Sequence, residues 1–316
     1  MANASEVDLS PDEAEDSGFE DSASLQSTSL ASSVLNYTYE NGRRYHAYRA
    51  GSYPLPNDEQ EQDRMDSLHH IWLSLLGGEL LYRKPPNLER VLDVGTGTGS
   101  WAIDMADEYP QATIIGTDLS PIQPGWVPPN CRFYVDDAES DWTYSPFDLI
   151  HARSLTGSIA DWPRFYRQCF ETLRPGGYLE IQEHDVQAST IEKELPPWTA
   201  EMNANLSLGS DLFGRPMNVA HLHANWVREA GFVEVEEQVD KVPIGSWAKH
   251  RKELGRFHLS EILTAIEPYC LALYTKALSK SYEETKVAIE MVKQEFCTKK
   301  HHLYVNFRFI TGRKPA

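Results

Sequence analysis

The sequence predicts an α/β fold, a mostly parallel seven-stranded sheet with helices on both faces, and three observations carry that reading. From residue 88 onward short apolar runs alternate with amphipathic stretches, as strands and helices do along the chain of such a sheet. The first run opens into a turn with glycines at 95, 97 and 99, and acids close two later runs, at Asp118 and at Asp136-Asp137.

Taken in order, strands are expected near 90–95, 112–117, 131–135, 147–152 and 177–183. Between the first two, Trp101, Ala102, Met105, Ala106 and Tyr109 share one helical face, with Ser100 able to cap the start and Pro110 to end it. A second helix fits Trp162 to Leu173, after which Pro175-Gly176-Gly177 turns the chain into the fifth strand. Ala220 to Ala230 reads as a helix closed by Gly231, and Phe232 to Val239 alternates as a strand. The last strand is Tyr304 to Thr311. The 243–303 link between these two strands holds helical patterns at Leu254–Leu263 and Tyr282–Phe296, so a stretch of that length must be a structured helical insertion.

Composition sets the outer limits. The chain has 316 residues, 29 Lys+Arg against 47 Asp+Glu for a net charge of −18, and 41 % apolar content, ample for one large or two modest domains. Residues 1–35 hold eight acids, nine serines and no Lys or Arg, a composition that predicts a disordered acidic tail, either simply solvated or a phosphorylatable arm. No apolar stretch approaches the roughly 20 residues of a bilayer span, and no basic start with an apolar middle suggests a signal peptide. The expected location is cytoplasmic, with the nucleus as the alternative. Cys131, Cys169, Cys270 and Cys297 lie far apart and form no CxxC pair, so free buried thiols are expected. The acidity disfavours direct nucleic-acid binding, because phosphates must be met by a basic surface.

The segment Val91-Leu92-Asp93-Val94-Gly95-Thr96-Gly97-Thr98-Gly99-Ser100 runs from a buried strand through glycines into a helix, which lets a ligand approach the backbone. A dinucleotide fingerprint wants G-x-G-x-x-G, and a Walker loop wants G-K-S/T; neither is present. An acid two residues before a G-x-G-x-G loop resembles motif I of class I S-adenosylmethionine-dependent methyltransferases. In Ile114-Ile115-Gly116-Thr117-Asp118-Leu119, Asp118 is placed to accept hydrogen bonds from both ribose hydroxyls, a role shared with dinucleotide enzymes. In Asp136-Asp137-Ala138, the resemblance implies an acid, Asp137, at the adenine amino group; a plain acidic surface loop is the competing reading.

The resemblance reaches further. Glu40-Asn41-Gly42-Arg43-Arg44-Tyr45-His46-Ala47-Tyr48, Gly51-Ser52-Tyr53-Pro54, Arg64-Met65-Asp66, His69-His70, Phe147 to Arg153 and the closing Thr311-Gly312-Arg313-Lys314-Pro315 resemble fungal methyltransferases of the LaeA-like group. The resemblance implies a class I methyltransferase (Rossmann-like) domain over 36–316: an N-terminal lid at 37–85, the core sheet from 88–242 and 304–313, and the insertion. It also implies that the lid puts Tyr45, Tyr48 and Tyr53 near the cofactor's methionine end, against the alternative of an ordinary packing layer. The implied S-adenosyl-L-methionine site is Tyr45, Tyr48, Tyr53, Asp93, Gly95, Thr96, Gly97, Gly99, Asp118, Leu119, Asp136, Asp137, Ala138 and Arg153.

Ligands of open α/β sheets bind outside the carboxyl ends of the strands. That topology offers His151 and Arg153 after the fourth strand and Glu183, His184 and Asp185 after the fifth. His184, His151 and Glu183 are the catalytic candidates; each also reads as structural. The His69-His70, His221/His223 and His301-His302 pairs have helical spacings that point side chains apart, so no metal site is expected. The expected activity is methyl transfer to a small secondary metabolite. The alternatives are a LaeA-like regulatory methyltransferase in a protein complex that influences transcription, and a cofactor-binding scaffold without catalysis. Partners are accordingly a small-molecule substrate or a partner protein. Because residues 1–35 lack core-forming content, their deletion should leave the melting temperature and cofactor affinity unchanged; a large drop in either would show that the segment docks.

Overall fold

The computed structural model describes residues 37–40, 42–46, 48–49 and 53–316. The acidic tail at 1–35 lies outside the described residues, as does Gly51 of the implied lid. Two short strands, β1 (Thr38–Glu40) and β2 (Arg43–Tyr45), form an antiparallel hairpin ahead of helix α1 (Glu59–Leu75). Asp58 caps α1 by accepting the Glu61 N–H at 3.1 Å and also receives the Arg43 guanidinium, so one carboxylate ties hairpin to helix.

The sheet follows as β3 (Arg90–Val94), helix α2 (Ser100–Glu108), β4 (Thr113–Asp118), β5 (Cys131–Val135), β6 (Phe147–Arg153), helix α3 (Trp162–Thr172) and β7 (Leu173–His184). Next come β8 (Ser189–Thr190), α4 (Pro197–Phe213), α5 (His223–Glu229), β9 (Val233–Pro243), α6 (Lys252–Ala272), α7 (Tyr282–Cys297) and β10 (Leu303–Arg313). The spatial order is β5-β4-β3-β6-β7-β10, parallel through β7, with β9 antiparallel on β10. All seven strands read from the sequence are present. An eighth, the two-residue β8, pairs with Leu303 and Tyr304 of β10.

Alternation along the strands builds a core on each face. Leu92, Val94, Ile150 and Ala152 pack with Trp162, Phe165 and Val227 of α3 and α5, whereas Val91, Ile114 and Leu149 pack with Trp101, Ala102 and Met105 of α2. Three local readings are corrected. Ser100 does not cap α2; Gly99 occupies the N-cap at φ 84°, a left-handed conformation natural to glycine, and the Ser100 hydroxyl bonds Asp66 instead. The helix read from Ala220 to Ala230 opens as a 3-10 turn, Ala220–Leu222. Of the cysteines, Cys297 is exposed because it falls on the last turn of α7.

The third core joins the N-terminal segment to the insertion. Leu68, Ile71 and Trp72 of α1 pack with Met202 and Leu206 of α4, Ile266 and Tyr269 of α6, Phe296 of α7 and Phe307 of β10. The expected 37–85 lid thus divides: α1 is a core helix, and only the segment before it lies at the surface of the sheet's carboxyl edge. The sequence between 185 and 230 offered no helix for α4, although Gly214 closes it in the left-handed conformation at φ 79°. Where α6 begins, Gly255 accepts the Gly245 N–H at 2.8 Å, and a Cβ at 255 would stand 2.1 Å from the Gly245 oxygen. Gly255→Ala should therefore cost about 1–3 kcal/mol by forcing backbone apart, read from the midpoint of urea unfolding; an unchanged midpoint would mean that the contact relaxes freely.

Candidate active site

The carboxyl ends of β3, β4, β5 and β6 open into a cleft. Its floor is the glycine loop. Asp93 lies buried inside β3, where its Oδ1 bonds His151 Nδ1 at 2.7 Å and its Oδ2 accepts the Thr96 hydroxyl at 2.6 Å. Gly95 turns at φ 67°, and a Cβ there would meet Leu155 at 2.3 Å, so the loop after β6 can close only on a glycine.

At the end of β4, Asp118 accepts the Gly97 N–H on Oδ2 and the Ser120 N–H on Oδ1, both at 2.9 Å. Each oxygen keeps a free lone pair, so the carboxylate can still receive a vicinal diol. Burial pushes its pKa up to about 6 against the pull of those N–H groups. Beyond β5, Asp136 accepts the Tyr144 hydroxyl and the Asp137 N–H, while Asp137 pairs with Arg49 at 3.3 Å. Leu119, Ile122, Ala138, Leu155 and Ile159 give this end of the cleft apolar walls.

The opposite end is cationic. Arg153, at the end of β6, donates to His69 Nδ1 at 2.9 Å, which places the His69 proton on Nε2, where Asp104 accepts it at 2.9 Å. Burial lowers the Arg153 pKa to about 10, still charged at neutral pH. Next to it Ser154 adopts φ 55°, and its buried hydroxyl has no partner. Acids and apolar walls at one end, with a guanidinium and an unpaired hydroxyl at the other, suit a nucleoside joined to an amino acid.

Among the residues read from the sequence, Tyr53, Asp93, Gly95, Thr96, Gly97, Asp118, Leu119, Asp136, Asp137, Ala138 and Arg153 all line this cleft. Others do not. Tyr45 stands against Lys276, Tyr48 lies under Arg49, and Gly99 packs on Phe133 as the cap of α2. His151 is fully buried beneath the loop, stacked on Trp101 at 3.6 Å, and burial holds it neutral; it supports Asp93 and does not reach the cleft. Glu183, raised by burial to about 7, is occupied by the backbone N–H groups of Thr156 and His184. His184 lines a second, smaller pocket, and the two share Arg64, Leu68 and Tyr269. Arg64, Met65 and His69 contribute from α1, and Tyr269 from α6. The Arg64-Met65-Asp66 and His69-His70 blocks were the only signal of the former in the sequence.

This fold and site are those of a class I S-adenosylmethionine-dependent methyltransferase. A methyltransferase domain model matches residues 64–237, and the chain belongs to that family, within the fungal LaeA-like group. It is 44 % identical over 295 residues to methyltransferase pytC of Aspergillus terreus, covering 91 % of both chains. To the secondary metabolism regulator LAE1 of Cochliobolus heterostrophus it is 36 % identical over 313 residues, covering 92 % of this chain and 99 % of that one. Among solved structures, a candidate methyltransferase from an antibiotic biosynthesis pathway of Anabaena variabilis shares the fold at a TM-score of 0.50 and 11 % identity, covering 78 % of this chain and 96 % of that one. The cofactor is S-adenosylmethionine. The diol-ready Asp118, the buried Arg153 cation and the unpaired Ser154 hydroxyl fit its parts.

Asp118 provides a direct check. Asp118→Ala should weaken S-adenosylmethionine binding by about 1.5–3 kcal/mol, about ten- to a hundredfold. Protonation replaces an acceptor on Asp118 with a donor, so wild-type affinity should fall as pH drops through about 6, and the variant should lose that limb. Calorimetry across pH 5–8 reads both, and a flat wild-type profile would remove Asp118 from the contact.

Proposed function

We propose that the chain methylates a small, largely apolar metabolite, with its cofactor held along the first cleft and its acceptor in the second. The observation that carries this reading is the second cavity. It is walled by α1, α4, α6, α7 and the ends of β7 and β10, and meets the cofactor cleft at Arg64, Leu68 and Tyr269. Val186, Met202, Ile262, Ile266, Phe296 and Phe307 give it mostly apolar walls, the kind of surface that a small hydrophobic acceptor needs beside the cofactor.

Bound S-adenosylmethionine supplies an electrophilic methyl group on a sulfonium. Asp118 holds the ribose hydroxyls, Asp137 and Ala138 the adenine edge, and Arg153 with Ser154 the amino-acid carboxylate. The glycine loop admits the chain of atoms between them. Tyr53, Pro56 and Asn57 close the mouth, and Asn57 is fastened to Ser120 at 3.1 Å, so the stretch just before α1 acts as the lid that excludes water. Methyl transfer is an in-line displacement, and alignment of donor and acceptor is the main task of the protein.

The identity to LAE1 favours a second reading, a regulator acting with partner proteins. Incubation with methyl-labelled S-adenosylmethionine and, separately, an organic extract of a fungal culture or its protein fraction tells the two apart. Label should enter low-molecular-mass product without added protein. Label confined to protein would replace the small-molecule reading with the regulatory one.

A further inference from the structure

We propose a modification site together with the surface that receives it: Ser17, once phosphorylated, docks the N-terminal segment on a basic groove between the end of α1 and the start of α6. This holds whichever acceptor the chain methylates. The groove is lined by Ser74 and Leu75 of α1, by Lys249, His250 and Arg251 after β9, and by Lys252, Glu253 and Leu254 of α6. In a chain of net charge −18, these are the only four consecutive residues that hold three Lys or Arg. Arg251 is already committed, donating to Asp240 at 2.9 Å and to the Lys241 carbonyl at 3.1 Å, and Glu253 is paired with Arg256. Lys249, His250 and Lys252 are exposed, and none of the three forms an ion pair among the described residues.

The counterpart is in the sequence. Residues 1–35 carry eight acids and no Lys or Arg, and three of their serines, Ser5, Ser10 and Ser17, have an acid three positions on, a spacing suited to an acidophilic kinase. Ser10 is followed by Pro11, and Ser5 has no acid before it. Ser17 stands between Glu15-Asp16 and Glu20-Asp21, and next to it comes Phe19, the one aromatic residue of the segment. The groove offers each a partner: Lys249 and Lys252 for the phosphate, Leu75 and Leu254 for the ring. Unmodified, the carboxylates make only exposed ion pairs, which are weak and screened by salt. A phosphate gathers about −1.5 to −2 charges and three acceptor oxygens in one group, so docking follows modification, and loss of the unmodified segment leaves stability unchanged. In the modification Ser17 Oγ bonds the γ-phosphorus of ATP and yields its proton to the kinase, while the bond from that phosphorus to the bridging oxygen breaks with its electron pair left on ADP. The length of chain suffices. Glu40 is paired with Lys276 at 2.5 Å, just beyond the far end of α6, and a helix of 21 residues puts the groove about 30 Å from there. The twenty residues from Ser17 to Tyr37 can extend to about 65–70 Å.

Fluorescent peptides of residues 12–25, with Ser17 unmodified or phosphorylated, are titrated with the full unmodified chain and read by anisotropy. The phosphopeptide should bind at least about tenfold more tightly than its unmodified twin. Lys249→Gln with Lys252→Gln should remove that gain, whereas Lys299→Gln with Lys300→Gln, a second exposed lysine pair, should keep it. On the full chain, ATP and an acidophilic kinase of the casein-kinase type should place phosphate on Ser17, read by mass spectrometry, and the phosphorylated chain should no longer take up the phosphopeptide. Absence of phosphate from Ser17, equal affinity for the two peptides, equal loss in both lysine variants, or undiminished uptake by the phosphorylated chain would each overturn the assignment.

Discussion

A carboxylate buried in the middle of a strand has to be met by hydrogen bonds, and at Asp93 that demand organises the carboxyl edge of the sheet. One oxygen is answered across the sheet by His151 of β6, the other by Thr96 of the following turn. The first bond locks β6 beside β3, and the second folds the glycine loop back over its own strand. Removing His151 would leave that acid one hydrogen bond short in the interior, a cost of about 1–3 kcal/mol. Trp101 then stacks on His151, so the helix after the loop is packed onto the same pair. Loop, neighbouring strand and helix are thus set by one acid.

The cleft built on that foundation is polarised. Asp118, Asp136 and Asp137 stand at one end and Arg153 at the other, and the cation is held by a relay through His69 to Asp104. That relay crosses from β6 to α1 and α2. A helix far from the glycine motif in sequence therefore orients a group at the heart of the site, and α1 cannot be treated as a mobile cover. The segment before it is different in kind: polar bonds from Arg49 and Asn57 to the loops after β5 and β4 hold it over the mouth.

The second cavity exists because the insertion packs inward. Arg64 of α1 lies buried between Glu61 and Glu261, bridging α1 to α6 at the place where the two cavities meet. One guanidinium faces two carboxylates here, so the wall keeps an acid in excess beside two imidazoles. Burial lowers His184 to about 3 and His258 to about 4, so both are uncharged at neutral pH.

The sheet and the cofactor cleft were legible because their signals are local. Alternating burial within a strand, glycines where the backbone must turn at positive φ, and acids at strand ends all follow from constraints acting within about ten residues, and they found most of the cleft's lining. Tyr45 and Tyr48 misled because an aromatic stripe says nothing of direction; Tyr45 stands against Lys276 and Tyr48 under Arg49. His151 and Glu183 misled for a related reason: position at a strand end does not reveal whether a side chain faces the cleft or a backbone donor. The wall of the second pocket, from α1, α4, α6, α7 and β10, could not be read residue by residue from the sequence. Its residues lie up to 243 positions apart, from Arg64 to Phe307, and only the burial of one shared apolar core brings them together. The sequence alone determined the strand, glycine loop and acids of the first cleft; tertiary packing decided which histidine has its tautomer fixed, because that depends on the Pro243 carbonyl at the end of β9, fifteen residues before His258 on α6.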